Sequence, residues 1–558
     1  MRIVEQVKSE IRQALAEAVG RAVAGGALIG PAPEIVLETP KERAHGDFAT
    51  NLAMVMARQE KKPPRVIAQA IVDHLRTDGT WIESAEVAGP GFINLRLRRG
   101  WVHQVLPAIQ AEGADYGKSD HGRKQRILLE YVSANPTGPM VLVQARAGAF
   151  GSALARLLNW AGYECHTEFY VNDAGNQIKI LARTVDLRAQ ELRGAKVEIP
   201  EGYYPGEDVI ECARALLEQY PDFLEKPEEE RLAFLEHWAP EYFRKGHEEV
   251  LRRYGVEFDR WFSERSLREA GAPAKLVQWL LERGEAYEKD GAIWMRTTAY
   301  GDDKDRVLVK SDGEYTYFAV DACYHRDKYD RGYSTLINIW GQDHHGYVGR
   351  MKAMVQCLGR PADSLEILIS QMVRLFKDGQ EFRMSKRRGN YVTLEDLLEQ
   401  VSVDAARYFF LMRSLDTHMD FDLDLANLKS SDNPVFYVQY AHARICSILR
   451  QAQEQGLEVP AASEVDLSLL ADESEVELMR KLAEFPEEII GAADAREVHR
   501  IPRYLNELAT LFHQFYARCR VVSDDLPLTR ARLLLVDCTR TVLANALGIL
   551  GVSAPERM

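Results

Sequence analysis

The most constraining stretch of this chain is an apolar run that stops at a cluster of chain breakers and restarts as an amphipathic helix. RILLEYVS at 126 to 133 has the length and content of a buried strand. ANPTGP at 134 to 139 places Pro136, Gly138 and Pro139 within six residues, so regular structure ends there. Ala147, Phe150, Leu154, Leu157 and Ala161 then recur at three- and four-residue steps up to Gly162, which fits a helix and its stop. Strand, turn and helix in that order are the unit from which open parallel sheets are wound. TLINIWG at 335 to 341 and LEILISQMV at 365 to 373 are further buried-strand candidates with helical patterning between them.

The 558 residues predict about three or four domains. Val4, Val7, Ile11 and Leu15 lie at helical spacing and FINLRLR at 92 to 98 reads as a strand, so residues 1–112 form a small α+β domain. The polar stretch at 111 to 125 reads as a linker. Residues 120–403 form a Rossmann-like α/β domain with a parallel sheet, and the charged amphipathic patterns at about 172–262 are a helical insertion in it. From 404 to 558 only helical patterns occur, which predicts an all-α bundle without strands. The fold class is therefore multidomain α/β.

A net charge of −14 argues against a generic polycation that coats nucleic acid. None of the seven cysteines forms a Cys-x-x-Cys pair, so reduced thiols in the cytoplasm and no structural zinc are expected. The N-terminus carries a charge every few residues and lacks a signal-peptide core, and no membrane contact is expected. GADYGKS at 113 to 119 has three residues between its glycines, where a P-loop needs four. Asp321, His325, Asp343, His344 and His345 show no paired spacing of metal ligands, so no protein-held metal is expected.

FKDGQEFRMSKRRGNYVTLEDLL at 376 to 398 crowds Arg383, Lys386, Arg387 and Arg388 onto a Gly-flanked loop. Thr393 and Asp396 then have the spacing of a capping box. Cations beside a helix start suit phosphate, and in an open α/β sheet a nucleotide lies at the carboxyl ends of strands near helix N-termini. The turn at 134 to 139 and this loop are two halves of one such site.

With those pieces in order, the sequence resembles the class I aminoacyl-tRNA synthetases, and specifically the bacterial-type arginyl-tRNA synthetases. The resemblance is carried by AHGDFATNLAM at 44 to 54, EYVSANPTGP at 130 to 139, YVNDAGNQI at 170 to 178 and FDRWFSERSL at 258 to 267. It continues through GDDKDRVLVKSDGEYTY at 301 to 317, WGQDHHGY at 340 to 347, FRMSKRRGN at 382 to 390, DAARY at 404 to 408 and the terminal LGVSAPERM.

The resemblance implies a monomer that activates L-arginine with ATP, Mg2+ accompanying the nucleotide, and transfers the arginyl group to tRNA(Arg). Lys386 and Ser385 then hold the leaving pyrophosphate, and Arg383 stands where many class I enzymes carry a lysine. Pro136, Thr137, Gly138, Gln144, Arg146, Asp343, His344 and Met384 are the implied nucleotide contacts. Asn135, Glu264, Tyr317, Asp321 and Gln342 are the implied arginine contacts, the carboxylates because a guanidinium presents a planar fork of donors. In the implied anticodon-binding bundle, Arg496, Arg500, Arg503, Arg518 and Arg520 are candidate tRNA contacts.

One segment departs from the family. Where it ordinarily reads Pro-Leu-His-x-Gly-His-Ala-Arg, this chain reads Pro139, Met140, Val141, Leu142, Val143, Gln144, Ala145, Arg146. Both signature histidines and the glycine are missing. The expected compensation is the helix N-terminus together with Arg146, Arg383 and Lys386. The alternatives are a synthetase-derived protein that binds tRNA or arginine without adenylation, and a related enzyme with a different substrate pair.

Overall fold

The computed structural model describes residues 2–40, 42–382 and 392–558. Four of the expected site residues, Arg383, Met384, Ser385 and Lys386, lie outside them.

The strand Arg126–Glu130 occupies the centre of a five-stranded sheet. Glu164–Val171 and then Arg260–Ser263 lie on one side of it, and Thr335–Gly341 and then Leu365–Ser370 on the other. All four pairings are parallel. Alternation along the central strand sends Ile127 and Leu129 into the core that also holds the helix Leu142–Trp160. Leu128 points into the opposite core, shared with the helix Tyr317–Asp330. The chain leaves the central strand in one direction and returns on its other flank, so a crevice opens at the carboxyl ends of Arg126–Glu130 and Thr335–Gly341.

The exit from the central strand is strained. Val132 and Ser133 both adopt left-handed backbone, with φ of 68° and 42°, and a β-branched residue there is a true outlier. Ser133 Oγ donates to Glu130 Oε1 at 3.0 Å and accepts from Tyr170 N–H at 3.1 Å, which ties the bend to both strands. Tyr131 packs face-on against Gly151, where a Cβ would sit 2.3 Å from its ring, so only glycine fits that turn of the helix.

The insertion is helical as expected, comprising Asn176–Leu192, Glu207–Gln219 and Glu228–Arg253 around their own core of Leu181, Val185, Val209, Leu216 and Leu235. Its expected end at 262 is corrected by Arg260–Ser263, which is the edge strand of the main sheet. The strand-free expectation beyond 404 is likewise corrected: Met419–Asp422 pairs in parallel with Val373–Lys377. Both strands are four residues long, too short for an alternation to stand out from helical patterning.

At the N-terminus the helix Ile3–Ala24 shares a core with an antiparallel sheet of Phe48–Thr50, Phe92–Leu97 and Ile82–Ala88. The C-terminal bundle comprises Pro434–Glu454, Glu473–Ala495, Arg500–Arg518 and Leu526–Leu550. The last helix is apolar and long enough to cross a membrane by composition, but Leu533, Leu534, Leu543 and Leu547 are fully buried within the protein. Of the candidate tRNA contacts, Arg496 forms a two-pronged ion pair with Glu366 and Arg500 one with Glu488, so both serve the fold.

Arg407 joins the α/β domain to this bundle. Fully buried, it donates to Leu550 O at 3.0 and 2.8 Å, to Tyr254 O at 3.2 Å and to Ser152 Oγ at 2.8 Å. Burial pushes its guanidinium down to about 10, which leaves it charged at neutral pH. Replacing Arg407 with Met strands several buried carbonyls, so Arg407→Met is expected to lower stability by at least about 3 kcal/mol in urea unfolding. Arg407→Lys recovers little of that loss, because a point charge cannot reach all the acceptors of the fork.

Candidate active site

A cavity of about 580 Å³ fills the crevice at the carboxyl ends of the two central strands. Its floor is acidic. Glu130 ends the central strand, Glu264 opens the short helix Glu264–Glu269, and Asp321 lies one turn into the helix Tyr317–Asp330. All three line the cavity.

Each carboxylate has different company. Glu264 Oε2 accepts from Tyr170 Oη at 3.0 Å, and Arg268 binds its Oε1 from outside at 2.6 Å. Glu130 Oε2 accepts from the fully buried Lys328 Nζ at 2.5 Å. Among the described residues, no cation lies within ion-pair distance of Asp321. Burial and the charges of Glu130 and Glu264 push its carboxyl up to about 7, against a smaller opposing effect of Lys328. Three carboxylates and two cations leave one net negative charge here, so the pocket suits a ligand bearing a single positive charge.

Tyr317, 67% exposed, stands one turn before Asp321 at the cavity mouth. Asn135 lines the opposite wall, donating to Gln177 Oε1 at 3.2 Å and accepting from Asn172 Nδ2 at 3.3 Å. Gln342 begins the short helix Gln342–Tyr347 and is not among the residues that line the cavity, whereas Asp343 and His344 are. His344 sits between the rings of Trp340 and Tyr347, with centroids 5.9 and 6.0 Å away.

The nucleotide side differs from expectation in several places. Pro136 and Thr137 lie outside the cavity wall, and Gly138 faces a second cavity of about 400 Å³, its carbonyl accepting from His247 Nε2 at 2.7 Å. Arg146 is no surface cation. It is fully buried, and its guanidinium donates to Thr417 O and Ser414 O at 2.7 Å and to Gln371 O at 3.2 Å. The family resemblance implied a nucleotide contact there, but the side chain is engaged by the 371 and 414–417 segments.

Val143 and Gln144 do line the cavity. Gln144 Oε1 accepts from Val141 N–H at 2.8 Å and so closes the start of its own helix, leaving Nε2 as the polar atom for the cavity. The helix start is partly engaged too, since Leu142 N–H donates to Val392 O at 3.0 Å. Leu394 N–H donates to Met140 O at 2.9 Å, and Val141 bridges Thr393. The expected capping box is present, with Thr393 Oγ1 accepting from Asp396 N–H and Asp396 Oδ2 from Thr393 N–H. The segment after the basic loop is thereby stitched to the start of the helix after the turn.

Sequence reading missed Glu130, Tyr170 and Lys328 as members of the site. A glutamate inside an otherwise apolar strand was the available signal for Glu130, because a buried carboxylate requires a partner.

Comparison with known proteins agrees with this geometry. Residues 105–411 match the tRNA synthetases class I (R) catalytic domain, 5–97 the arginyl tRNA synthetase N terminal domain, and 438–558 the DALR anticodon binding domain. The arginine–tRNA ligase of Symbiobacterium thermophilum is 92% identical over the full length of both chains, and that of Desulforamulus reducens 47%. The Thermus thermophilus arginyl-tRNA synthetase shares the fold, with a TM-score of 0.71 at 24% identity over 98% of this chain and all of that one. With its acidic crevice, its three matched domains and relatives alike over the full length, this chain belongs to the arginyl-tRNA synthetase family of class I.

Proposed function

We propose that the protein activates L-arginine with ATP, releasing pyrophosphate, and transfers the arginyl group to the terminal adenosine of tRNA(Arg). The observation that carries the reading is the acidic floor with Asp321 as its unpaired carboxylate. A guanidinium laid between Asp321 and Glu264 meets one net negative charge, beneath the Tyr317 ring and with its α-carbon end toward Asn135.

From there the α-carboxylate reaches toward the start of the helix Leu142–Trp160 and attacks the α-phosphorus of ATP. The protein's part is placement and charge stabilisation rather than covalent chemistry. Gln144 Nε2 and the helix start stand on the phosphate side, with Asp343 and His344 across the cavity for the nucleotide. Lys386, Ser385 and Arg383 lie in the sequence between Phe382 and the segment stitched to that helix, and that order supports assigning pyrophosphate capture to them. Mg2+ would enter with the triphosphate and neutralise part of its charge. Among the described residues no three His, Cys, Asp or Glu side chains converge on an ion, so its ligands would be phosphate oxygens. Seven free, buried thiols suit a cytoplasmic enzyme, which we read as a monomer.

Charging of total bacterial tRNA with labelled arginine and ATP tests the reading. Robust charging is expected, and Asp321→Asn is expected to raise the arginine KM by about 10²-fold or more with the ATP KM little changed. No charging by the wild-type protein, with tRNA still bound, would instead mark a binding protein on a synthetase frame.

Because Asp321 titrates near pH 7 and only its ionised form attracts a guanidinium, arginine affinity should fall as pH drops through 7. The slope approaches ~10-fold per pH unit on the acid side, and arginine binding at pH 7 releases part of a proton. Calorimetry in buffers of different ionisation enthalpy reads that release directly. Lys386→Ala, in contrast, should lower the charging rate far more than arginine binding, and equal losses in both would argue against a role on the leaving pyrophosphate.

A further inference from the structure

We propose that Lys328 is a positioning residue for amino-acid selection: from beneath the pocket it holds Glu130 as a paired anion, so that the floor offers a single net negative charge centred on Asp321. The inference rests on the reading of Asp321 as the guanidinium's partner.

Glu130 and Glu264 are joined by one hydrogen-bonded network that also reaches the main-chain carbonyl of Asp321, whose carboxylate they influence through charge. Asp321 O accepts from His325 Nδ1 at 2.8 Å, and His325 Nε2 accepts from Asn338 Nδ2 at 3.0 Å. Burial pushes His325 down to about 3, so the ring is neutral and its two nitrogens have fixed roles. Asn338 Oδ1 accepts from Lys328 Nζ at 3.3 Å, and the same ammonium donates to Glu130 at 2.5 Å. Glu130 Oε1 receives Ser133 Oγ at 3.0 Å, Ser133 receives Tyr170 N–H at 3.1 Å, and Tyr170 Oη reaches Glu264 at 3.0 Å. Arg268 meets this network from outside at Glu264, whereas Lys328 lies within it and is entirely inaccessible, so it cannot meet substrate.

Its effect is exerted through charge. Asp321 is faced by Glu130 from the central strand, Tyr170 from the neighbouring strand, Glu264 and its Arg268 from the next helix, and Cys323, His325 and Lys328 from its own. Among these, Glu130 and Glu264 oppose ionisation of Asp321, and Lys328 favours it. Without Lys328 the floor would carry two net negative charges in a half-buried site. Taking up one proton would return the floor to a single net negative charge, but one shared with Glu130 rather than centred on Asp321, and a partly protonated Asp321 distinguishes arginine less well from its uncharged isostere citrulline. The strained Val132–Ser133 bend supports the same arrangement, since Ser133 is held in its left-handed conformation by the oxygen of Glu130 that Lys328 leaves free.

The test follows the pH dependence of the arginine KM, from pH 5.5 to 9, in Lys328→Met, Glu130→Gln and the double variant, with the ATP KM and citrulline inhibition measured alongside. Lys328→Met is expected to move the acid limb upward by about one pH unit, to raise the arginine KM about fivefold at pH 7 and to weaken the preference for arginine over citrulline. Should Lys328→Met not fold, the double variant removes both buried charges together and is compared with Glu130→Gln. The double variant's limb should lie above that of Glu130→Gln, because only the latter retains the ammonium. Folded variants whose limbs coincide, with equal losses for arginine and ATP, would reduce Lys328 to a structural lysine and overturn the proposal. An unchanged arginine KM in Asp321→Asn would overturn the underlying guanidinium reading as well, whatever the Lys328 variants do.

Discussion

Like charges held close together out of water repel strongly, and the active crevice is arranged around three of them. Glu130, Glu264 and Asp321 come from a strand, a helix start and a helix interior, so the parallel sheet and both its flanking layers must be in place before they meet. Their repulsion is offset from behind, by Lys328 beneath Glu130 and Arg268 outside Glu264. No described cation pairs with Asp321 itself, Lys328 offsets its neighbours only in part, and its raised titration is the physical record of that imbalance. A cationic substrate completes the charge balance that the fold leaves open, which makes recognition and local electrostatic relief one event.

The same logic of internal engagement explains what replaces the missing signature histidines and what does not. Arg146 was the nearest cation in the sequence, but three backbone carbonyls hold it in the interior. Leu142 N–H, one of the helix-start donors, is bonded to Val392 O. The phosphate side is therefore poorer in free donors than the sequence suggested. What the structure offers instead is linkage: through Met140, Val141 and Leu142 the helix start is bonded directly to residues 392–394.

Legibility in the sequence tracked the range of the interactions. The strand, turn and helix at 126 to 161 and the capping box at 393 to 396 were readable because periodicity, breakers and caps are local signals. Asp321 and Glu264 were found through family resemblance and do line the crevice. The ion pair of Lys328 with Glu130 spans 198 residues, and no local pattern encodes it. Arg146 failed for the same reason, since its acceptors lie 225 to 271 residues away. Gly138 and Gln342 sit in the motifs that reach the crevice but do not line it, Gly138 facing the second cavity instead.

Linkage of this kind constrains how the enzyme can tolerate Val141 and Gln144 where the family carries histidines. A free imidazole at a helix start acts alone, whereas Gln144 caps its own helix and Val141 bridges Thr393, so both help hold the two phosphate-facing elements in register. The basic loop is bounded by Phe382 on one side, whose N–H bonds to Leu375 O, and by the stitched segment on the other. On the function proposed above, fewer donors at the helix start leave more of the pyrophosphate charge to Lys386, and this chain should depend more heavily on that lysine than a relative that retains both histidines.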